Sequence, residues 1–97
     1  MATFPFDIKT LVEICKTNDV TMVGVFGSMA RGEANKDSDI DLLVRLARPK
    51  SLLSLVALER KLTDALGRRV DLLTENALSP YLRDRILGEL QVLYAAG

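Results

Sequence analysis

The chain contains no histidine and no tryptophan, and its one cysteine is Cys15. Without histidine, a Ser-His-Asp triad, a histidine general base and the common histidine-containing zinc sites are all excluded. A single cysteine forms no disulfide framework within the chain and supplies no cysteine cluster for a metal. Acid–base or metal chemistry in this protein must therefore depend on carboxylates.

The chain also lacks an excess of charge of either sign, because thirteen basic residues balance thirteen acidic ones. A neutral chain does not favour broad electrostatic binding to nucleic acid or to a membrane surface. The apolar runs are too short to span a bilayer, and the first residues lack the basic start and apolar stretch of a signal peptide. We therefore expect a cytoplasmic protein without membrane attachment or direct nucleic-acid binding.

The length and the apolar content predict one folded domain over residues 1–97. Of the 97 residues, 48% are hydrophobic, which is enough for a core. A domain of this length buries only a modest fraction of its surface, so homo- or hetero-oligomers are both compatible with the sequence.

Strands and helices are predicted to alternate along the chain. Three apolar, β-prone runs predict strands at residues 21–26, 39–45 and 69–73. Capping and turn residues predict helices that begin after Asp7, Gly27, Ser51 and Ser79. The last helix is expected to carry an apolar stripe formed by Leu82, Ile86, Leu90 and Leu93. The order α-β-α-β-α-β-α predicts an α/β (α+β) fold with a small mixed sheet of about three strands.

A Gly-Ser pair, Gly27-Ser28, closes the first predicted strand. Glycine lets the backbone approach a phosphate closely, and backbone N–H groups together with the Ser28 hydroxyl are suitable phosphate donors. Arg31 follows one helical turn later and could neutralise phosphate charge. No Gly-x4-Gly-Lys-Ser/Thr motif is present, so the chain is not a P-loop enzyme.

Two aspartates, Asp39 and Asp41, open the second predicted strand, and Asp71 lies inside the third. Residues two apart on a strand share a face, so Asp39 and Asp41 point the same way. If the two strands are neighbours, three carboxylates converge, and they require a retained proton or a cation between them. All-oxygen clusters of this kind suit Mg²⁺ or Mn²⁺, and substrate phosphates often complete the coordination.

Each feature alone has an ordinary structural explanation. A Gly-Ser pair at a strand end is commonly a turn, and an Asp-x-Asp pair occurs often by chance. Asp71 could simply pair with Arg68 or Arg69. Their joint occurrence in this order along alternating strands and helices indicates a combined metal–phosphate site.

The segment Gly27-Ser28-Met29-Ala30-Arg31-Gly32-Glu33, followed by Ser38-Asp39-Ile40-Asp41-Leu42-Leu43-Val44, resembles the minimal nucleotidyltransferases of the DNA polymerase β superfamily. The C-terminal part around Val70-Asp71-Leu72, Pro80-Tyr81-Leu82 and Ile86-Leu87 resembles the same group. The resemblance spans roughly residues 20–94.

The resemblance implies a palm-like nucleotidyltransferase fold and assigns roles to individual residues. Gly27 and Ser28 would hold the nucleotide phosphates, Asp39 and Asp41 would bind the metals, and Asp71 would complete the site. The subgroup most similar in these motifs comprises antitoxins paired with HEPN-domain toxins, the type VII systems. That similarity implies Mg²⁺-dependent transfer of AMP from ATP to a tyrosine of a HEPN toxin, with the partner protein supplying the acceptor.

Two other functions are compatible with the residues alone. The chain could neutralise a partner by covering it, as a non-catalytic binding module, or it could bind a nucleotide without turnover, as a sensor. Replacing Asp39 and Asp41 by asparagine separates catalysis from covering. Release of pyrophosphate in the presence of the partner separates an enzyme from a sensor.

Overall fold

The computed structural model describes residues 4–96 and has four α-helices and four strands within them. In chain order they are α1 Ile8–Lys16, β1 Val20–Phe26, α2 Ser28–Arg31, β2 Ile40–Leu46, α3 Leu52–Leu66, β3 Val70–Thr74, α4 Pro80–Glu89 and β4 Gln91–Ala95. A short 3₁₀ turn, Glu75–Ala77, connects β3 to α4.

Capping residues determine where the predicted helices begin. The side chains of Asp7, Ser51 and Ser79 accept the N–H groups of Thr10, Ser54 and Leu82, respectively. Gly32 and Gly67 end α2 and α3 in the left-handed conformation, which costs glycine little. These boundaries confirm the predicted helix starts after Asp7, Ser51 and Ser79.

The sheet is mixed and has the strand order β3-β2-β1-β4. β2 and β3 are parallel neighbours, as the intervening helix α3 predicts. β1 is antiparallel to both β2 and β4, a direction that the spacing of residues along the chain does not determine. The α/β (α+β) class of the fold is therefore confirmed.

The C-terminal segment corrects one expectation. Leu90 and Leu93 do not continue an apolar stripe of the last helix, because α4 ends at Glu89 and residues Gln91–Ala95 form β4. β4 pairs with the free edge of β1, where Val25 faces Gln91 and Val23 faces Tyr94. The apolar spacing fitted a helix, but the unpaired edge of β1 gains backbone hydrogen bonds from a strand.

Two apolar clusters cover the two faces of the sheet. On one face, α1 and α3 contribute Leu11, Cys15, Leu58 and Leu62, which pack with strand residues such as Ile40 and Leu42. On the other face, Ile86 of α4 packs against Met22, Phe26 and Leu43. Strand side chains alternate between faces, so Asp41 and Asp71 lie on the face that α4 covers. Across residues 4–96, no helix combines the length and apolar character that a membrane crossing requires.

Candidate nucleotide and metal site

The end of β1 and the starts of β2 and β3 meet at one edge of the sheet. Phe26, the last residue of β1, faces Asp41 of β2, and Asp41 faces Asp71 of β3. The Gly27-Ser28 turn follows Phe26 directly, and Asp39 immediately precedes β2. The antiparallel and parallel registers therefore gather the predicted residues at this edge.

Asp41 and Asp71 are register partners in the parallel pair, so their side chains leave the sheet side by side. Had Asp71 pointed to the opposite face, the three carboxylates could not share a site. The structure therefore confirms the predicted juxtaposition of these two acids. Arg69 approaches Asp71, with Nε 3.6 Å from Oδ1, but both side chains are well exposed, at 74% and 42%. An exposed pair of this length contributes little.

The environment of Asp41 disfavours its charged form. Burial, followed by the neighbouring Asp71 and Asp39 carboxylates, raises the pKa of Asp41, while the Arg31 guanidinium acts in the opposite direction. A carboxylate that is both partly desolvated and near two like charges gains from a cation beside it. The donor chemistry and the charge of this edge fit Mg²⁺ or Mn²⁺, both of which prefer oxygen ligands.

The carboxylates do not form a complete metal site by themselves. Within residues 4–96, no group of three histidine, cysteine, aspartate or glutamate side chains is arranged to hold a metal ion. Mg²⁺ commonly binds one or two carboxylates and takes its other ligands from water and substrate phosphates. A metal at this edge would therefore take its remaining ligands from water and from the phosphates of a bound nucleotide.

Gly27 is the residue that brings the turn against the carboxylates. Its φ of 74° and ψ of −153° belong to a region that only glycine occupies readily. A Cβ atom built on Gly27 would overlap Oδ2 of Asp41. The absence of a side chain at Gly27 therefore lets the Gly27-Ser28 turn, the candidate phosphate-binding turn, lie directly against the Asp41 carboxylate, a candidate metal ligand.

Arg31 lies at the end of α2 and is held by two glutamates. Its Nε donates to Glu33 at 2.9 Å, and its Nη1 donates to both carboxylate oxygens of Glu89, at 3.2 and 3.1 Å. Glu89 Oε1 also accepts the N–H of Gly27 at 2.9 Å. Backbone N–H groups of this turn were expected to bind a phosphate, but the N–H of Gly27 donates to the Glu89 carboxylate instead. The phosphate-binding roles of Gly27, Ser28 and Arg31 stay predictions.

Arg68 supports the loop that leads into Asp39, rather than pairing with Asp71. Its Nη1 donates to the carbonyls of Asn35 and Ser38 at 3.0 and 3.1 Å. The Ser38 hydroxyl accepts the Asn35 N–H at 2.9 Å, which closes the same loop. Sequence reasoning missed this function because a charged residue after a helix gives no local sign of a contact thirty residues earlier.

Glu89 was also missed, for a similar reason. It lies in a stretch that reads as an ordinary helix, 62 residues from Gly27 in the sequence. Only the return of the C-terminal strand β4 alongside β1 brings the end of α4 to the Gly-Ser turn. No local pattern carries that information.

Residues 8–93 match the nucleotidyltransferase domain family, so the chain belongs to this family. A relative from Thermococcus cleftensis, named protein adenylyltransferase MntA, is 44% identical over 71 residues, which cover 73% of this chain and 72% of the relative. These findings confirm the resemblance and the enzyme class that the Gly27-Ser28 and Asp39/Asp41 motifs suggested.

Two solved structures share the fold. A chain from the crystal structure of a toxin–antitoxin complex with AMP-PNP superposes with a TM-score of 0.84 at 24% identity, covering 93% of this chain and 74% of that one. A chain from a Shewanella oneidensis complex, between a tri-AMPylated HEPN toxin and an MNT antitoxin, gives 0.74 at 22% identity, with coverage of 92% and 70%. At these identities, the similarity establishes the nucleotidyltransferase fold.

Proposed function

We propose that the chain transfers AMP from ATP to a hydroxyl of a partner protein, a tyrosine of a HEPN toxin, and thereby acts as its antitoxin. One observation carries the proposal: Asp41 lies against Gly27 and is the register partner of Asp71 on the neighbouring strand. The name of the 44%-identical relative, a protein adenylyltransferase, supports the reaction. The toxin–antitoxin complexes with the same fold support the kind of partner.

In this proposal, the carboxylates of Asp39, Asp41 and Asp71 would hold Mg²⁺ only once the nucleotide phosphates complete its coordination. The bound ion would supply positive charge against the triphosphate and the leaving pyrophosphate. Ser28 and Arg31 bind phosphate oxygens and orient the triphosphate. Catalysis is then mainly positioning and charge stabilisation, which is the usual requirement of phosphoryl and nucleotidyl transfer.

The acceptor hydroxyl loses its proton to a carboxylate, for which Asp71 is our candidate. The oxygen of the acceptor hydroxyl attacks the α-phosphorus of ATP and forms a new P–O bond. The bond between that phosphorus and the bridging oxygen breaks, and pyrophosphate leaves. The product is a phosphodiester that joins AMP to the partner.

The test compares transfer with complex formation. The double variant Asp39→Asn/Asp41→Asn and a cognate HEPN-domain protein are incubated with Mg²⁺ and ATP, and intact mass spectrometry measures adenylate adducts on the partner. We expect loss of the adduct while co-purification of the two proteins persists. The control Glu13→Gln/Asp64→Asn removes the same charge from exposed positions on α1 and α3, and it should transfer normally.

The alternative function is neutralisation by covering the partner without catalysis. If the double variant still silences the toxin as completely as the unmodified chain does, covering is the mechanism and the transfer proposal is wrong. If no adduct forms with the unmodified chain while the complex does form, the same conclusion follows.

A further inference from the structure

Glu89, the last residue of α4, contacts the nucleotide side of the site from a distant part of the chain. We propose that Glu89 is a positioning residue. Its carboxylate holds the Gly27-Ser28 turn and the Arg31 guanidinium in the positions from which they bind the nucleotide phosphates. This inference rests on the proposed function for its catalytic consequence. Its structural consequence, an ordered Gly27 turn, can be measured without any nucleotide.

The contacts of Glu89 connect both ends of the short α2 segment. Oε1 accepts the Gly27 N–H at 2.9 Å, at the start of the segment. Both carboxylate oxygens accept from Arg31 Nη1 at its end, at 3.2 and 3.1 Å. The Glu89 side chain is 18% exposed and that of Arg31 is 37% exposed, so the bond to the Gly27 N–H is better shielded from water than the bonds to Arg31. One carboxylate thus holds a backbone amide and a guanidinium together.

Gly27 is consequently confined from two directions. On one side its Cα lies against the Asp41 carboxylate, so closely that a Cβ would not fit. On the other side its N–H is bonded to Glu89. The distance between the phosphate-side turn and the metal-side acid is therefore set by Glu89 as well as by the sheet.

The backbone around Glu89 is itself held in place. A Cβ atom on Gly24 of β1 would lie 2.7 Å from Leu90 Cδ1, so Leu90 is seated tightly on that strand. Gln91 pairs with Val25 in the sheet, and its side-chain amide donates to the Ala30 carbonyl at 2.7 Å. The junction of α4 and β4 therefore contacts α2 through both Glu89 and Gln91. A residue so anchored is suited to hold the turn.

A blocking role is the competing explanation. A carboxylate on Gly27 N–H and Arg31 could occupy donors that phosphates need, and it would then have to leave when the nucleotide binds. Glu89 also adds negative charge near Asp41, which contributes to raising the pKa of Asp41. The two roles predict opposite changes in nucleotide affinity when the carboxylate is removed.

Glu75 offers a matched control. It is a part-buried glutamate that also pairs with arginines, since Oε2 lies 2.9 Å from Arg45 Nε and Oε1 lies 3.8 Å from Arg83 Nη2. Its side chain is 22% exposed, close to the value for Glu89. It follows β3 at the end opposite to Asp71. Substitutions there report the general cost of losing such an ion pair.

The first measurement is the KM for Mg²⁺–ATP in the transfer reaction, at a temperature where every variant is folded. We expect Glu89→Ala to raise the KM by about tenfold or more, as expected for loss of a charge-assisted contact. Glu89→Gln retains an acceptor for Gly27 N–H but loses the charge facing Arg31, so its KM should lie between. Glu75→Ala and Glu75→Gln should leave the KM unchanged. A lower KM in Glu89→Ala would show that Glu89 blocks the site and would overturn the inference. If the KM of Glu89→Ala changes only as much as that of Glu75→Ala, Glu89 has no special positioning role and the inference is also wrong.

The second measurement is amide hydrogen exchange at Gly27 by NMR, without nucleotide. We expect faster exchange in Glu89→Ala, retained protection in Glu89→Gln and no change in the Glu75 variants. Unchanged exchange in Glu89→Ala overturns the inference. If Glu89→Ala does not fold, Glu89→Gln decides through its KM. If the unmodified chain transfers no nucleotide, the proposed function fails, and the Gly27 exchange rates alone decide the role of Glu89.

Discussion

Removing the charge of Asp41 should stabilise the protein while it destroys the site. Burial and the adjacent Asp71 and Asp39 carboxylates raise the pKa of Asp41, so its ionised form is disfavoured in the folded state. At roughly 5 Å, the repulsion between two unit charges is about 1 kcal/mol in water and about 3 kcal/mol at an effective dielectric constant of about 20. Because Asp71 is 42% exposed, the lower end of this range applies.

We therefore expect Asp41→Asn to raise the free energy of unfolding by about 1 kcal/mol at neutral pH without metal. For a domain of this length, that corresponds to an increase in Tm of about 4–8 °C. Denaturant unfolding and calorimetry measure both quantities. The control Asp64→Asn removes an exposed charge on α3 and should change stability by less than about 0.5 kcal/mol.

The pH dependence of the free energy of unfolding tests independently whether the Asp41 charge destabilises the fold. A carboxyl whose pKa is raised by folding destabilises the protein above the folded pKa, and this penalty is lost as the pH falls toward the unfolded value of 3.8. The stability advantage of Asp41→Asn should thus be complete at neutral pH and should disappear at acidic pH. An advantage that is absent at neutral pH, or that grows on acidification, would refute the electrostatic reasoning.

Three further predictions concern the parts of the site around these carboxylates. Gly27→Ala should cost at least about 2 kcal/mol of stability and abolish transfer, because φ is positive there and the new Cβ would overlap Asp41. The control Gly67→Ala also has a positive φ, but its Cβ would enter open space, so it should cost about 1 kcal/mol and leave transfer intact. Arg68→Ala should free the loop before Asp39, which would appear as faster amide exchange at Ser38 and Asp39 and as a higher KM for Mg²⁺–ATP. Mg²⁺ with a non-hydrolysable ATP analogue at about 100 times its Kd should stabilise the fold by about 2.7 kcal/mol, and no change in Tm at millimolar concentrations would contradict nucleotide binding.

The core of the site was predictable from the sequence because short-range rules determine it. Caps and glycines mark the helix boundaries, and the helix between β2 and β3 favours a parallel crossover if the two strands are neighbours. Strand alternation then places Asp41 and Asp71 on one face, as the register of the two strands confirms. These steps involve only neighbouring elements along the chain.

The remaining features depend on contacts between distant segments, which local patterns do not encode. Leu90 and Leu93 fit a helical stripe as well as a strand, and only the open edge of β1 selects the strand. The hydrogen bond between Glu89 and Gly27 follows from the pairing of β4 with β1. The hydrogen bonds that Arg68 donates to Asn35 and Ser38 depend instead on the pairing of β2 with β3. The environment of the phosphate-side turn could therefore not be derived before the fold was known.

The most direct measurement of the central claim is calorimetric binding of a non-hydrolysable ATP analogue with and without Mg²⁺. Because the carboxylates of residues 4–96 form no complete metal site by themselves, the metal and the nucleotide should bind together. We predict measurable binding with Mg²⁺, and a loss of at least about tenfold both without Mg²⁺ and in Asp39→Asn/Asp41→Asn. Equal affinity with and without the metal, or equal affinity in the double variant, would contradict the account.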